Sequence, residues 1–335
     1  MTPVPLYVSC AGSREVQAFV LDPRDGKLTL AQRLPLPGAV LHLKLTPDRQ
    51  ILLAGTRDED ALHAMAVTPT YGTLRRLGST PSPGAPTYVG IAPERDLAFV
   101  ASYGNNLLAT FPLATDGVPG AARHVLHELP RAHAAVSHAR GWLLVPTLAA
   151  DTIRVYALTP SARAPLTPAV PPSVAVRPGS GPRHLVFSEN QQRAYCLNEL
   201  DNSLDAFDFN ADNGQLLLRQ SLSLRPPGNQ EAPWAAELRL SPSGRFLYAT
   251  DRRSSTLACV AIAPDDGRLA LIGHFATETQ PRGMAISPCG RWLAVCGQTS
   301  HHLSLYALDP DSGLPSEHNR VPTGEEPICV EMPAT

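Results

Sequence analysis

The sequence of 335 residues lacks several features that mark common classes of protein. No apolar run approaches the roughly 20 residues that a membrane-spanning helix needs, and the first residues carry neither the basic nor the apolar part of a signal peptide. The net charge of −2 gives no electrostatic basis for binding nucleic acid or an anionic membrane. The six cysteines include no Cys-x-x-Cys pair. We therefore expect a reduced, cytoplasmic protein with buried thiols and with neither nucleic acid nor membrane as a partner.

Motifs for bound cofactors and for common catalytic devices are missing as well. No glycine-rich phosphate loop joins a strand to a helix, and no nucleophile elbow is present. His301 and His302 are adjacent, so in an extended chain they point to opposite sides and are not expected to share a metal. We expect neither a metal nor an organic cofactor. No segment sustains a 3.6-residue hydrophobic period, which argues against an α/β fold.

Turn residues are abundant, with 34 prolines and 24 glycines, and they punctuate a repeat. A Ser/Thr-Pro turn, a short apolar strand, a polar break, a second strand and an Asp-Gly turn recur, as in Ser241–Gly244 and Asp266–Leu269. A landmark four residues past the middle of the first strand falls at Ala11, Arg57, Tyr103, Leu148, Glu199, Arg252 and Gln298. The successive spacings are 46, 46, 45, 51, 53 and 46 residues. Seven copies of about four short strands predict an all-β fold, a seven-bladed β-propeller with four-stranded blades.

The phase of the repeat predicts how the ring closes. With strands named A to D from the central channel outward, one copy contains Pro182–Ser188 (A), Ala194–Asn198 (B), Leu204–Phe209 (C) and Leu216–Leu222 (D). The chain begins with a B strand at Leu6–Cys10 and ends with an A strand at Ile328–Met332. N-terminal strands B–D and the C-terminal strand A should therefore form one blade, which leaves no open edge in the ring. We expect residues 1–335 to form a single propeller domain.

Charged and aromatic residues recur where they would meet at one mouth of the channel. In an antiparallel hairpin the start of strand A and the end of strand B lie at the same edge. The landmark residues form the B-end ring, in which Ala11 and Leu148 contribute no polar side chain. The A-start ring contains His42, Tyr88, His133, Arg183, His184, Glu237 and Arg282. This convergence favours a site in a funnel; the alternative is that these charges decorate the rim and pair with one another.

Two segments lengthen the repeat, at Ser161–Gly181 and at Leu224–Pro233. Both are expected to connect a D strand to the next A strand and thus to reach the same mouth. Loops on a rigid scaffold often form the walls of a site; the alternative is that these two are plain proline-rich surface loops. We expect the three tryptophans, Trp142, Trp234 and Trp292, to be packing residues.

Five segments carry a resemblance to a known family. They are Gly181–His184, Tyr195–Leu200, Trp234–Glu237, Thr277–Gly283 and Gly297–His302. In these segments, and over nearly its full length, the chain resembles the bacterial 6-phosphogluconolactonases of the seven-bladed propeller lactonase family. The resemblance implies hydrolysis of 6-phospho-D-glucono-1,5-lactone to 6-phospho-D-gluconate in the pentose phosphate pathway, without a cofactor. The expected partner is then a small anionic phosphosugar lactone.

The wider family also includes fungal muconate-lactonising enzymes, whose proposed site is a histidine, an arginine, a glutamate and a second arginine. This resemblance implies His133, Arg183, Glu199 and Arg252 as catalytic residues, with Arg282 as another candidate for the second arginine. We expect the other funnel residues to bind substrate: Arg57, Tyr103, His184, Glu237, Arg282 and Gln298.

The chemistry of lactone hydrolysis suggests a role for each type of residue. The planar fork of arginine suits phosphate, for which Arg252, Arg282 and Arg57 are candidates. Arg183 could stabilise the oxyanion. The general base could be Glu199 or His133, and a pairing of Glu199 with Arg183 would weaken Glu199 in that role.

Two other functions fit the same sequence. The funnel could serve a lactonase or cycloisomerase with another sugar-lactone or muconate-type substrate. A propeller could also be a non-enzymatic scaffold for a protein partner, which would require a large apolar or charged patch. An outer strand such as Leu216–Gln220 shows ordinary alternation or mild hydrophobicity instead. A monomer is the default expectation.

Overall fold

A computed structural model describes residues 2–69, 71–94 and 96–333; the predicted domain limits, 1 and 335, lie outside them. In the described residues, 28 strands form seven four-stranded sheets, and a 3₁₀ turn at Leu148–Ala150 is the one helical segment. Sequential strands pair antiparallel within each sheet. The predicted seven-bladed β-propeller is confirmed.

In chain order the strands are β1 (Val4–Cys10), β2 (Glu15–Leu21), β3 (Leu28–Pro35), β4 (Ala39–Leu45), β5 (Ile51–Arg57), β6 (Ala61–Val67), β7 (Leu74–Pro81), β8 (Tyr88–Ile91), β9 (Leu97–Ser102), β10 (Leu107–Pro112), β11 (His124–Leu126), β12 (Val136–His138), β13 (Trp142–Thr147), β14 (Thr152–Leu158), β15 (Leu166–Ala175), β16 (Pro182–Phe187), β17 (Arg193–Asn198), β18 (Ser203–Asn210), β19 (Gln215–Ser223), β20 (Ala235–Leu240), β21 (Phe246–Asp251), β22 (Thr256–Ile262), β23 (Leu269–Ala276), β24 (Pro281–Ile286), β25 (Trp292–Gly297), β26 (His302–Leu308), β27 (Pro315–Pro322) and β28 (Pro327–Glu331).

The two ends of the chain share one blade, as the phase of the repeat predicts. Its strand order is β28-β1-β2-β3. Strand β28 runs antiparallel to β1, with Val8 opposite Val330 and Ser9 opposite Cys329. The pairing closes the ring, so the first and last blades present no unpaired inner edge to each other.

The core lies between neighbouring blades. Leu6 and Phe19 of the first blade pack in one cluster with Trp292 and Leu305 of the last. The second strand of a blade is buried on both faces, as in β25, where every residue is buried. Outer strands such as β27 are mostly exposed, and half-buried positions alternate with exposed ones only in the second half of that strand. The packed inner strands hold the strand ends at the channel in a fixed arrangement.

One of the two predicted inserts has a different structure from the one expected. Residues Leu166–Ala175 are the outer strand β15, which pairs with β14, so the expectation of a long loop over Ser161–Gly181 is wrong. A proline-rich segment can form an edge strand, because proline has no N–H to donate and the outer side of an edge strand needs no donor. The other insert, Leu224–Pro233, does connect β19 to the start of β20, as predicted.

Candidate active site

The ends of the B strands and the starts of the A strands surround a cavity of about 350 Å³. Its lining is rich in charged and aromatic side chains and consists of Leu41, His42, Arg57, Ala85, Thr87, Tyr103, Gly104, His133, Arg183, His184, Glu199, Trp234, Glu237, Arg252, Arg282 and Ile328. The cavity includes every residue predicted for the site except Gln298, which accepts a hydrogen bond of 3.3 Å from Arg282. Tyr88 packs behind the wall, 4.2 Å from His42 between ring centroids.

Bulges at equivalent positions of five blades bring the A-strand starts into the cavity. The pairing register shifts between Pro182 and His184, so Arg183 is an extra residue in its strand. Similar shifts occur at Leu41, at Arg282, at Ile328 and across the pair Ala236 and Glu237. Neighbouring residues of a regular strand point to opposite faces, whereas a bulge re-aims a side chain. This is why adjacent Arg183 and His184 both line the cavity.

Glu199 bridges two buried arginines. Its Oε2 atom lies 2.9 Å from Nε of Arg183 and 3.0 Å from Nη2 of Arg252, and the three side chains are 9%, 3% and 4% exposed. Burial lowers the pKa of both arginines, and the repulsion between them lowers the pKa of Arg252 further. An anion placed beside them would oppose both effects. The cluster therefore favours a negatively charged or oxyanionic ligand.

Arg252 is held by its surroundings as well as by Glu199. It donates hydrogen bonds to the backbone carbonyls of Trp234 (3.2 Å) and Ala235 (3.1 Å), and its guanidinium lies 3.9 Å from the centre of the Trp234 ring. The backbone N–H of Trp234 donates to Asp251 Oδ2 at 3.1 Å. Trp234 is thus a wall residue in a cation–π contact rather than a packing residue alone. Its position directly after the Leu224–Pro233 insert was the available signal.

Three histidines line the cavity in the neutral state. The pKa of His42, His133 and His184 is lowered well below its usual value by burial, and Arg183 adds to the shift for His133 and His184. Nδ1 of His184 lies 2.7 Å from Oε1 of Glu237. Nδ1 of His42 instead accepts a hydrogen bond of 3.2 Å from the backbone N–H of Val89, so its proton is on Nε2. A neutral ring keeps one nitrogen lone pair, which can accept a hydrogen bond.

Nδ1 of His133 is buried and has no hydrogen-bond partner in the described chain. Its ring packs edge-on against Tyr103 and His184, with centroids 5.8 and 5.2 Å away. The blade that carries His133 has a short first strand, β12, which begins three residues later at Val136. The backbone N–H of His133 still donates to Pro146 (3.0 Å), which fixes its place at the mouth.

Arg282 is the most available cation of the inner wall. Among the described residues it contacts no carboxylate within salt-bridge distance, and burial lowers its pKa to about 10. Arg57, whose side chain is 57% exposed, lies further out and is 3.8 Å from Asp58. Four arginines and two glutamates line the cavity, so it carries a net positive charge. A phosphate group suits such a lining.

Two further observations concern metal ions and membranes. In the residues described, no group of three or more His, Cys, Asp or Glu side chains could hold a metal ion. Nor does any helix in residues 2–69, 71–94 or 96–333 have the length and apolarity to cross a membrane. Sequence reasoning placed His42 in the A-start ring without a role, and it missed Thr87 and Ala85, which carry no charge to draw notice.

Fold and cavity together define a class: a closed β-propeller with an arginine-rich cavity at one mouth of its channel. Within this class the chain belongs to the lactonase family of seven-bladed β-propellers. The family description "Lactonase, 7-bladed beta-propeller" matches residues 5–332.

Individual relatives agree with this assignment. A 6-phosphogluconolactonase of Yersinia enterocolitica is 34% identical over 328 residues, which is 98% of this chain and 97% of that protein. A 6-phosphogluconolactonase of Yersinia pestis is 34% identical over 84% of this chain and 83% of its own length. The structure of the periplasmic gluconolactonase of Pseudomonas aeruginosa superposes with a TM-score of 0.92 and 29% identity, covering 99% of each chain.

Proposed function

We propose that this protein hydrolyses 6-phospho-D-glucono-1,5-lactone to 6-phospho-D-gluconate, a step of the pentose phosphate pathway. The observation that carries the proposal is that one small cavity is lined by two kinds of arginine, a pair bound to a carboxylate and one that is not. Arg183 and Arg252 share Glu199, whereas Arg282 is without a carboxylate contact in the described chain. A substrate with an ester carbonyl at one end and a phosphate at the other matches that arrangement. Full-length relatives named as 6-phosphogluconolactonases support it.

The arginines near Glu199 would serve the carbonyl. Attack of water on the lactone carbon turns the carbonyl oxygen into an oxyanion, and buried guanidinium groups fixed in advance stabilise that charge. Arg183 and Arg252 are fixed by Glu199 and by the carbonyls of Ala235 and Ala236. The water must also lose a proton, for which Glu199 and His133 are the bases expected from the sequence.

A direct assay tests the function. We expect the purified protein to accelerate disappearance of 6-phosphogluconolactone well beyond its spontaneous hydrolysis, followed by proton release at constant pH. Arg183→Ala should lower kcat by about 10²–10³-fold if this arginine stabilises the oxyanion. If Arg183→Ala and Glu199→Gln both keep the wild-type rate, the site assignment is wrong. A rate equal to the spontaneous rate would contradict the proposed function.

Replacement of Arg282 should separate phosphate binding from chemistry. A hydrogen-bonded charge pair contributes about 1.5–3 kcal/mol, so we expect Arg282→Met to lower kcat/KM for the phosphorylated lactone by about 10- to 100-fold. For unphosphorylated glucono-1,5-lactone the change should be under about 3-fold, because no phosphate contact is lost. Both substrates are assayed side by side in steady-state kinetics.

Two variants serve as controls for that experiment. Arg282→Lys keeps the charge but loses the planar fork, and we expect an intermediate loss. Arg291→Met removes an exposed arginine outside the cavity and should change neither substrate. Equal losses of kcat/KM on both lactones in Arg282→Met would show that Arg282 does not recognise phosphate.

An unphosphorylated sugar lactone is the second candidate substrate. The observation in its favour is the similarity in structure to a protein named gluconolactonase. The side-by-side assay decides between the two, since a true phosphosugar lactonase should prefer the phosphorylated substrate. Membership of a lactonase family makes an enzyme a better interpretation than a binding scaffold. We also propose a cytoplasmic monomer with one domain, which cell fractionation and size-exclusion chromatography with light scattering can test.

A further inference from the structure

Glu237 and His184 form a carboxylate–imidazole pair in the cavity wall. Oε1 of Glu237 lies 2.7 Å from Nδ1 of His184, and their side chains are 3% and 8% exposed. An ionised carboxylate only accepts hydrogen bonds, so Nδ1 carries the ring proton and Nε2 has the lone pair. Nε2 makes no hydrogen bond with any residue that the structure describes, and His184 lines the cavity. We propose that His184 is the general base of the lactone hydrolysis and that Glu237 positions it, an inference that rests on the proposed function.

The carboxylate of Glu237 is itself held in place. Its Oε1 also accepts a hydrogen bond of 3.2 Å from the backbone N–H of Leu238, and Nη1 of Arg239 lies 3.4 Å away. The backbone N–H of Glu237 donates to Oγ1 of Thr250 at 3.0 Å. These contacts fix the carboxylate, which in turn fixes the tautomer and the orientation of the His184 ring. A buried carboxylate that holds a catalytic imidazole acts in the same manner in hydrolytic triads.

Glu199 and His133, the two general bases expected from the sequence, have surroundings that suit a general base less well than those of His184. Oε2 of Glu199 contacts both Arg183 and Arg252, and such pairing weakens a carboxylate as a base. Nδ1 of His133 has no partner in the described chain that could accept a hydrogen bond and stabilise the protonated ring. His184 faces the same arginines, but it has the charge of Glu237 in direct contact.

The proposed step conserves atoms and charge. Nε2 of His184 takes a proton from water as the water oxygen bonds to the lactone carbonyl carbon, and the carbonyl electron pair moves to oxygen. When this oxyanion collapses, the bond between the carbonyl carbon and the ring oxygen breaks. The ring oxygen receives the proton from His184, which returns the imidazole to its neutral state, and the new carboxylic acid ionises in water.

Steady-state kinetics with 6-phosphogluconolactone test the assignment. We expect His184→Gln to lower kcat by about 10²–10⁴-fold, the usual contribution of a general base, with KM changed under about 3-fold. Glu237→Gln should lower kcat by about 10–10³-fold with a similarly small change in KM. His63→Gln is the matched control, because His63 contacts Glu59 at 3.3 Å outside the cavity, and it should keep the wild-type kcat.

The pH profile distinguishes a positioning role from a structural one. Activity should fall on the acid side as His184 becomes protonated, with an apparent pKa below 6.5, the usual value for a histidine. Loss of the Glu237 charge destabilises protonated His184, so in Glu237→Gln the acid limb should move to lower pH. The groups that face His184 are Glu237, Arg183, Arg239, Arg252, Arg282, His133, Tyr88 and His42.

Rescue and spectroscopy complete the test. Added imidazole should restore part of the activity of His184→Ala, and ¹⁵N NMR of the wild type should show His184 protonated on Nδ1. Wild-type kcat in His184→Gln, or a proton on Nε2 in the NMR spectrum, would overturn the assignment while leaving the lactonase function intact. Should His184 variants fail to fold, Glu237→Gln and the NMR tautomer decide. A wild type without any lactonase activity would instead contradict the proposed function.

Discussion

Removal of residues 324–335 should abolish cooperative folding. These residues include β28, the inner strand that pairs with β1 and completes the first blade. Ile328, Val330 and Met332 are buried, and burial of each such side chain contributes about 1.5–3 kcal/mol. Their loss alone rivals the whole stability of a typical protein, about 5–15 kcal/mol. Truncation also exposes the inner edge of β1 and opens the ring.

Circular dichroism during urea and thermal unfolding provides the measurement. The truncated chain should show no cooperative transition, or should be recovered only as aggregate. Glu325→Ala, at an exposed position just before the strand, is the control and should unfold like the parent. A second arm adds a peptide of residues 324–333, which should restore a transition in proportion to its concentration. A truncated chain that unfolds cooperatively within a few degrees of the parent would contradict the closure argument.

Glu199→Ala should destabilise the protein and disable the site together. Without the carboxylate, Arg183 and Arg252 remain buried beside each other, and neither has another carboxylate in direct contact among the described residues. Removal of one partner from a buried ion pair costs about 3–5 kcal/mol. We expect a loss of that size in the free energy of unfolding. We also expect kcat/KM to fall at least about 10²-fold, because the two guanidinium groups lose the contact that fixes them for the oxyanion.

Added anion should reveal the physical cause of that instability. Inorganic phosphate can enter the cavity and neutralise the two arginines, so it should raise the melting temperature of Glu199→Ala more than that of the wild type. Glu199→Gln keeps the shape without the charge and should behave similarly. Glu59→Ala, on a half-exposed glutamate outside the cavity, should have little effect. Unchanged stability in both Glu199 variants would show that the three side chains do not act as one cluster.

Much of the fold followed from local patterns in the sequence. The period of turns and short strands predicts the number of blades, and the phase of that period predicts that Leu6–Cys10 and Ile328–Met332 share a sheet, which β1 and β28 do. The error over Ser161–Gly181 arose because prolines indicate loops, whereas an edge strand tolerates them. Whether a proline lies at an edge depends on neighbours distant in sequence.

The candidate site was predictable as a place and less so as a set of contacts. Repeat position placed Arg183, Glu199 and Arg252 at one mouth, where the structure brings them together. The role of Trp234 was missed, because its contact with Arg252 depends on the path of a loop. Likewise, the pairing of His184 with Glu237 joins residues 53 positions apart on different blades.

The sequence by itself determined the architecture and the ring of residues at the channel mouth, because periodic patterning acts through short-range geometry that every blade repeats. Tertiary structure alone decided which of those residues touch. Because of the bulge at Arg183, two adjacent side chains both point into the same cavity. Oε2 of Glu199 contacts two arginines. Glu237 fixes the position of the proton on the His184 ring. Those choices depend on distances of a few ångströms between blades, which no periodicity along the chain encodes.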